Sequence, residues 1–321
     1  MRPLGPLLLA ALMPLLGLPA AAQTFPSKTV TIIVPFAPGA SSDATARALA
    51  AELTPRLGVS VVVSNNAGGG GITGLQQMAR AAADGHTLAI GAAGAVVIIP
   101  QMPGAPPFDP AKELTPVARL VDVPLVIVAH PQKGPKSLAD AIATAKKLPE
   151  GLTYGSTGTN SGMHLAVEFL SVKSGAKLVH VPYRGSAPAV TDAVAGQVPF
   201  VAVDLTSALP LVEAGQLTAL AMIGQRRVSF APQVPTMAEL GFAGFETTAF
   251  LGLFAPLGTP PPIVNTVSGH VREIIAKPEM QKILRNVALE PSYLDGAAFG
   301  AFIEKDRTNW RQMLTAMGKT K

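Results

Sequence analysis

"TVTIIVPFAPGASSDATARALAAEL", residues 29–53, changes rhythm halfway along. Its first eight residues are rich in β-branched side chains, the mark of a strand buried on both faces of a parallel sheet. From Ser41 the period changes, and Leu49, Leu53 and Leu57 recur every fourth residue. That spacing is the apolar stripe of a helix. A turn of small residues, "APGASS", separates the two. Strand, tight turn and helix form the opening of a βαβ unit.

The unit repeats on either side of a break. "VSVVVS" (59–64) reads as the next strand, "ITGLQQMARAAA" (72–83) as a helix and "HTLAIGA" (86–92) as the third strand. "QMPGAPPFDP" (101–110) interrupts as a loop. A second series starts with strand "VPLVIVAH" (123–130) and helix "SLADAIATAKKL" (137–148). It continues through strand "LTYGS" (152–156), helix "SGMHLAVEFLSVKSG" (161–175), strand "KLVHVPY" (177–183), helix "SAPAVTDAVAGQ" (186–197) and strands at 198–203 and 217–224. "TTAFLGLFAP" (247–256) reads as a strand crossing back, and three helices follow, at 261–277, 278–289 and 295–314. Alternating strands and helices predict an α/β protein whose parallel sheets carry helices on both faces. Two series with helices returning at the end predict two lobes, the C-terminal part completing the first. The expected division is 23–122 plus 248–321 for lobe 1 and 123–247 for lobe 2, each a mostly parallel sheet flanked by helices.

The chain has 321 residues, 48% of them hydrophobic and 14% charged, enough to bury a large core. Net charge is +5, with no basic run interleaved with aromatics, so nucleic acid is not an expected partner. Met1-Arg2 is followed by an uncharged Leu-rich stretch ending in Ala20-Ala21-Ala22. That is the layout of a cleaved secretory signal over residues 1–22, and it predicts a periplasmic protein. Read instead as an uncleaved anchor, the stretch is interrupted by Pro14 and Pro19. Cysteine is absent, which excludes disulfides, thiolate nucleophiles and lipid attachment at an N-terminal Cys.

Three junctions share one design: an apolar strand, a loop of small residues and a helix start. They are "PFAPGASSD" (35–43), "NAGGGGITG" (66–74) and "YGSTGTNSGMH" (154–164). Loops at the carboxyl ends of parallel strands form the ligand crevice of such sheets. A helix start there offers unpaired N–H groups and partial positive charge, worth about 0.3–1 kcal/mol to an anion and up to about 2 when partly buried. Hydrogen bonds to a charged group add about 1.5–3 kcal/mol apiece. Converging junctions of this kind suffice for a small carboxylate at micromolar strength, about 8 kcal/mol, with no arginine required. The bland alternatives stand beside this reading. Ser41 or Ser42 serves as a helix N-cap, Asp43 as a first-turn acid complementing the dipole, and His164 as a hydrogen-bonded packing residue.

Catalytic readings are weaker. From Gly69 the glycine run fits Gly-x-Gly-x-x-Gly, but the dinucleotide fingerprint needs an acid about 20 residues on, and only Asp84 is near. A P-loop requires Lys-Ser/Thr where Leu75-Gln76 stand. Ser156 lacks the nucleophile elbow, and the His and acidic residues show no metal-ligand spacing. No cofactor, no metal and no enzymatic activity are expected.

Taken in order, "VTIIVPFAPGASSDATARALA", "NNAGGGGITG", "YGSTGTNSGMHLAVEFL", "VHVPYRGSAPAVTDAVAGQV", "SALPLVEAGQLTALAM" and "LGLFAPLGTPPPIV" resemble the Bug-type extracytoplasmic solute receptors. These are the substrate-binding proteins of tripartite tricarboxylate transporters. The likeness runs over essentially the whole mature chain. It implies a two-lobed periplasmic binding protein fold that closes on a small organic carboxylate, and a monomer is expected. It further implies delivery to a membrane permease of one small and one large subunit. The resemblance assigns ligand-binding roles to Ala37, Pro38, Gly39, Ala40, Ser41, Ser42 and Asp43 in the first loop. In the glycine-rich loop it assigns them to Asn65, Gly68, Gly70, Gly71 and Gly74. In the second lobe it assigns them to Ser156, Thr157, Gly158, Thr159, Asn160, Ser161 and His164, with part of the grip passing through ordered water. Asp204 is expected either to line the cleft or to cap the helix after it. Three departures, Ala40 and Asn160 where glycine is usual and Phe250 where Trp is frequent, are expected to change which ligand binds. His180, Tyr183 and Arg184 are expected to stabilise a strand-to-helix turn. The competing functions are a binding module that feeds a sensor and an exported hydrolase using Ser156 or His164.

Overall fold

The computed structural model describes residues 25–320, except 40, 225 and 246–248. The expected signal segment, 1–22, lies outside the described residues, as does Ala40. No helix among the described residues is long and apolar enough to cross a membrane.

In lobe 1, strand β1 (Val30–Val34) feeds helix α1 (Ser41–Leu57), β2 (Val61–Asn65) feeds α2 (Ile72–Ala79), and β3 (Thr87–Ala92) follows. β1 lies between β2 and β3 and runs parallel to both. After β3 the chain makes a buried π-turn, Gly94–Ile98, and a 3-10 turn, Ile99–Gln101. The short helix α3 (Pro110–Glu113) leads into β4 (Leu114–Asp122).

Val123 and Pro124 carry the chain into lobe 2. Its elements are β5 (Leu125–Ala129), α4 (Leu138–Lys147), β6 (Leu152–Ser156), α5 (Gly162–Ser174), β7 (Leu178–Pro182) and α6 (Ser186–Ala195). β8 (Phe200–Asp204), α7 (Leu205–Glu213) and β9 (Thr218–Ile223) complete it. The chain then returns through β10 (Phe250–Pro256) to α8 (Pro261–Ala276), α9 (Pro278–Asn286), β11 (Glu290–Asp295) and α10 (Gly296–Ala316).

The first sheet has the order β11-β4-β10-β3-β1-β2 and the second β7-β6-β8-β5-β9. Both are mixed rather than mostly parallel. β10 runs antiparallel to β3 and β4, β11 antiparallel to β4, and β5 antiparallel to β8 and β9. The antiparallel pairs of β5 and β10 arise where the chain changes lobe, and β11, reached through α8 and α9 on the far side of β4, keeps the direction of β10. A strand arriving from the other lobe enters the sheet without the right-handed helical crossover that parallel pairing requires.

The two crossings lie side by side, with Val123 N–H donating to Ala249 O at 2.8 Å. Beside them the buried Arg119 pairs with Asp122 and lies 4.1 Å over the Phe302 ring. Phe250 packs edge-on against Phe299 and Phe302 and is 1% exposed, so it belongs to the core. Its expected influence on ligand choice has no route through direct contact. α10 reaches both lobes. Trp310 stands edge-on to Phe245, and Phe245 packs against Phe169 of α5.

Candidate functional site

β1 and β2 end level with one another, Val34 opposite Asn65, so their loops leave on the same edge of the sheet. Ala37, Pro38 and Gly39 are exposed, and Ser42 and Asp43 are buried in the first turn of α1. Asp43 fastens this loop. Its Oδ2 accepts the Gly39 N–H at 3.1 Å and Arg47 Nε at 2.9 Å, while Oδ1 accepts Asn65 Nδ2 at 2.9 Å. Asn65 Nδ2 also donates to Phe36 O at 3.1 Å. Burial pushes the Asp43 carboxyl up, but the hydrogen bonds from Arg47, Asn65 and Gly39 outweigh it and hold the group below its ordinary value. The acid is ionised, and Arg47 balances its charge, so an anion at this loop meets a neutral pair.

The glycine run lets the second junction close onto the first. Gly71 has φ +104°, and a methyl there would meet Phe36 Cζ at 3.1 Å and Ala95 Cβ at 3.3 Å. At Gly74 a methyl would lie 2.8 Å from Pro35 Cβ and 2.9 Å from Asn66 O. Gly68 and Gly70 are exposed in the same turn. Close backbone approach therefore accounts for the glycines at 71 and 74 without any ligand.

In lobe 2, β6 ends at Ser156, which is fully buried and has its Oγ 2.7 Å from His180 Nε2. Thr157 Oγ1 donates to Met163 Sδ, and Thr159 is exposed. Gly158 and Asn160 have φ of +129° and +64°. Ser161 caps α5, its Oγ accepting the His164 N–H at 3.2 Å. His164 lies beneath the loop, 4% exposed, and its Nδ1 accepts the Asn160 N–H at 3.0 Å. Asp204 caps α7. Its Oδ1 accepts the Ser207 N–H at 2.9 Å, and its Oδ2 accepts the Ser186 hydroxyl. The cap alternative describes its bonds.

The junctions share one neighbourhood. Phe36, Gly71 and Ala95 are in mutual reach, and the π-turn carries the wall onward to Ile98. A methyl on Gly162, at the start of α5, would sit 3.8 Å from Ile98 Cδ1. Lobe 1 and lobe 2 thus meet at the start of α5, against the π-turn that follows β3. Among the candidates, Ala37, Pro38, Gly39, Ser41, Thr157, Gly158, Thr159, Asn160 and Ser161 keep surface exposure, whereas Ser42, Asp43, Ser156 and His164 are buried supports. Sequence reasoning passed over Phe36, Arg47, Ile98 and Glu168. Arg47 and Glu168 were findable, since Asp43/Arg47 and His164/Glu168 are both i,i+4 pairs on a helix.

A serine hydroxyl against an imidazole is the arrangement of an activated nucleophile. Here Ser156 has no exposed surface, and no carboxylate orients His180 among the described residues. Burial and the facing His164 push His180 down to about 4, a weak base. The folded protein therefore holds this imidazole neutral, while the unfolded chain takes up a proton below its ordinary pKa of 6.5. Between pH 6.5 and 4 the unfolded state binds more protons, so the His180 contribution lowers stability as pH falls. His180→Gln, which retains a partner for Ser156, is expected to flatten the melting temperature against pH across that window relative to wild type. An unchanged slope would show that His180 does not titrate in this way.

Against known proteins, residues 45–319 match the model of the tripartite tricarboxylate transporter family receptor. Protein BugT of Bordetella pertussis is 38% identical over 259 residues, covering 80% of this chain and 79% of its own. The periplasmic binding protein BugD superposes with a TM-score of 0.84 at 30% identity, covering 92% of this chain and 100% of BugD. An R. palustris protein solved with adipate gives a TM-score of 0.85 at 30% identity, over 92% of this chain and 99% of that one. A family model spanning most of the sequence, with two-lobed relatives matched end to end, leads to one conclusion: this chain belongs to the receptor family of the tripartite tricarboxylate transporters.

Proposed function

We propose that the protein is an exported receptor that captures a small dicarboxylate between its lobes and hands it to a tripartite transporter permease of one small and one large subunit. Lobe 1 comprises 23–122 and 248–321, and lobe 2 comprises 123–247. The observation that supports this reading is the set of close approaches that places Gly71 against Phe36 and Ala95, and Gly162 at the start of α5 against Ile98 of the same π-turn, which brings the lobe 1 junctions and the lobe 2 junction to one segment. The hydroxyls of Ser41 and Thr159 and the amides of the two loops that have no partner among the described residues would take the carboxylate oxygens, whereas Asp43 and His164 hold the Gly39 and Asn160 N–H groups and so shape the loops from below together with Asn65 and Ser156. First-turn N–H groups have no intrahelical acceptor and carry partial positive charge, which suits an anion. Adipate in the R. palustris relative supports a ligand with an acid at each end.

A thermal-shift panel of C4 to C8 dicarboxylates, citrate and benzoate tests this. A true ligand at about 100 times its Kd adds about 2.7 kcal/mol of stability, a rise of several degrees for a chain of this size. A panel in which no acid moves the melting temperature would sink the carboxylate reading.

A further inference from the structure

His164 uses every polar atom it has. Its backbone N–H donates to Ser161 Oγ, its carbonyl accepts the Tyr154 hydroxyl at 3.3 Å, and its Nδ1 accepts the Asn160 N–H. A neutral imidazole has one donor and one acceptor nitrogen, so the proton is on Nε2. That nitrogen faces Glu168 Oε1 at 3.3 Å. The other carboxylate oxygen, Oε2, pairs with Lys319 Nζ at 2.8 Å. The His180 ring closes the remaining side at 3.9 Å between centroids. Lys319 follows α10, which belongs to lobe 1, whereas His164 and Glu168 stand one turn apart on α5 of lobe 2. The line from Lys319 to Asn160 therefore starts in one lobe and ends in the ligand-facing loop of the other.

Asn160 has φ +64°, a left-handed conformation that Asn adopts more readily than other residues with a Cβ, and here a hydrogen bond to its own N–H fixes it. We propose that His164 is a positioning residue for ligand capture. It pegs the left-handed Asn160 turn by accepting its N–H, and the Glu168–Lys319 pair holds the imidazole in the tautomer able to accept while tying α5 to the C-terminal helix. The capture half rests on the dicarboxylate reading above. The peg itself does not.

Three variants separate this role from packing. His164→Asn places an amide oxygen near the Nδ1 position. His164→Gln reaches toward Glu168 and leaves the Asn160 N–H without its acceptor. Lys319→Met removes the lobe 1 end of the line. Hydrogen exchange of the Asn160 amide, read by NMR on the full chain without any ligand, reports the peg. Losing one such bond is expected to speed exchange about tenfold in His164→Gln, with His164→Asn within about threefold of wild type. Lys319→Met should fall between them. For the dicarboxylate that gives the largest shift in the panel, Kd should weaken about tenfold in His164→Gln and stay within about threefold in His164→Asn, although both lose similar melting temperature. Equal exchange and equal Kd in the two His164 variants, both following the melting temperature, would reduce His164 to a packing residue. An Asn160 exchange rate unaltered by Lys319→Met would remove the lobe 1 end. Should no acid bind while the exchange difference persists, the dicarboxylate reading fails and the peg stands.

Discussion

Asp43→Ala should weaken dicarboxylate binding about 100-fold and cost about 2–3 kcal/mol of stability, with solvent screening the Arg47 pair because Arg47 is largely exposed. The substitution removes the acceptor of three donors at once: Gly39 N–H, Arg47 Nε and Asn65 Nδ2. Gly39 and Asn65 are the two points at which the first loop is fixed relative to α1 and β2. Without them the loop must be ordered by the ligand itself, and that ordering subtracts from affinity. Asp43→Asn keeps one acceptor but loses the charge and presents N–H to donors, so it should behave closer to alanine than to wild type. The two effects are read by titration calorimetry with the strongest acid of the panel and by denaturant unfolding. The depressed Asp43 pKa fixes the sign with pH. Its stabilisation is complete above the ordinary value of 3.8 and is lost as pH falls through the lower folded value. The wild type and the alanine variant should therefore converge in stability at strongly acid pH. Wild-type affinity in Asp43→Ala would mean that the first loop holds its shape by other means.

Trp310→Ala should be the most damaging single change to the fold, at about 3–5 kcal/mol, because a fully buried aromatic is replaced by a cavity. The damage is shared between lobes, since Phe245 rests on Trp310 on one side and on Phe169 of lobe 2 on the other. Trp310→Phe should cost far less. Among the described residues Trp310 Nε1 is buried without an acceptor, so losing that N–H removes an uncompensated polar group and offsets part of the lost packing. Urea unfolding of both variants gives the comparison. If phenylalanine proved as costly as alanine, the N–H would have a partner that matters.

Much of the architecture was legible because period and composition are local. The β-branched run at residues 30–34 and the Leu49–Leu53–Leu57 stripe gave the first strand and helix, and the three C-terminal helices were readable in the same way. β4 was not. Pro116 and the charged Arg119 argue against a central strand, yet Arg119 is buried because Asp122 and the Phe302 ring receive it. β11, "EPSYLD", is a short polar edge strand with no apolar alternation to betray it. The run at 94–101 is apolar at every usable period, so nothing in it announced a π-turn followed by a 3-10 turn. At the site, the three junctions were visible as strand–loop–helix starts. What holds them was not, because Asn65 meets Asp43 across 22 positions, and Lys319 meets Glu168 across half the chain. Contacts of that separation leave no periodic trace in a single sequence.

The first sheet takes strands from the beginning, the middle and the end of the chain, with β4 held between β10 and β11. The second sheet is drawn entirely from one uninterrupted stretch, β5 to β9. During synthesis, that stretch has all its partners as soon as β9 emerges. β4 must wait for some 130 further residues, and loop-closure entropy slows its pairing. Assembly is therefore ordered in time: the inserted lobe matures early, and the outer one stays open, its strand edges unsatisfied, until the C-terminus arrives.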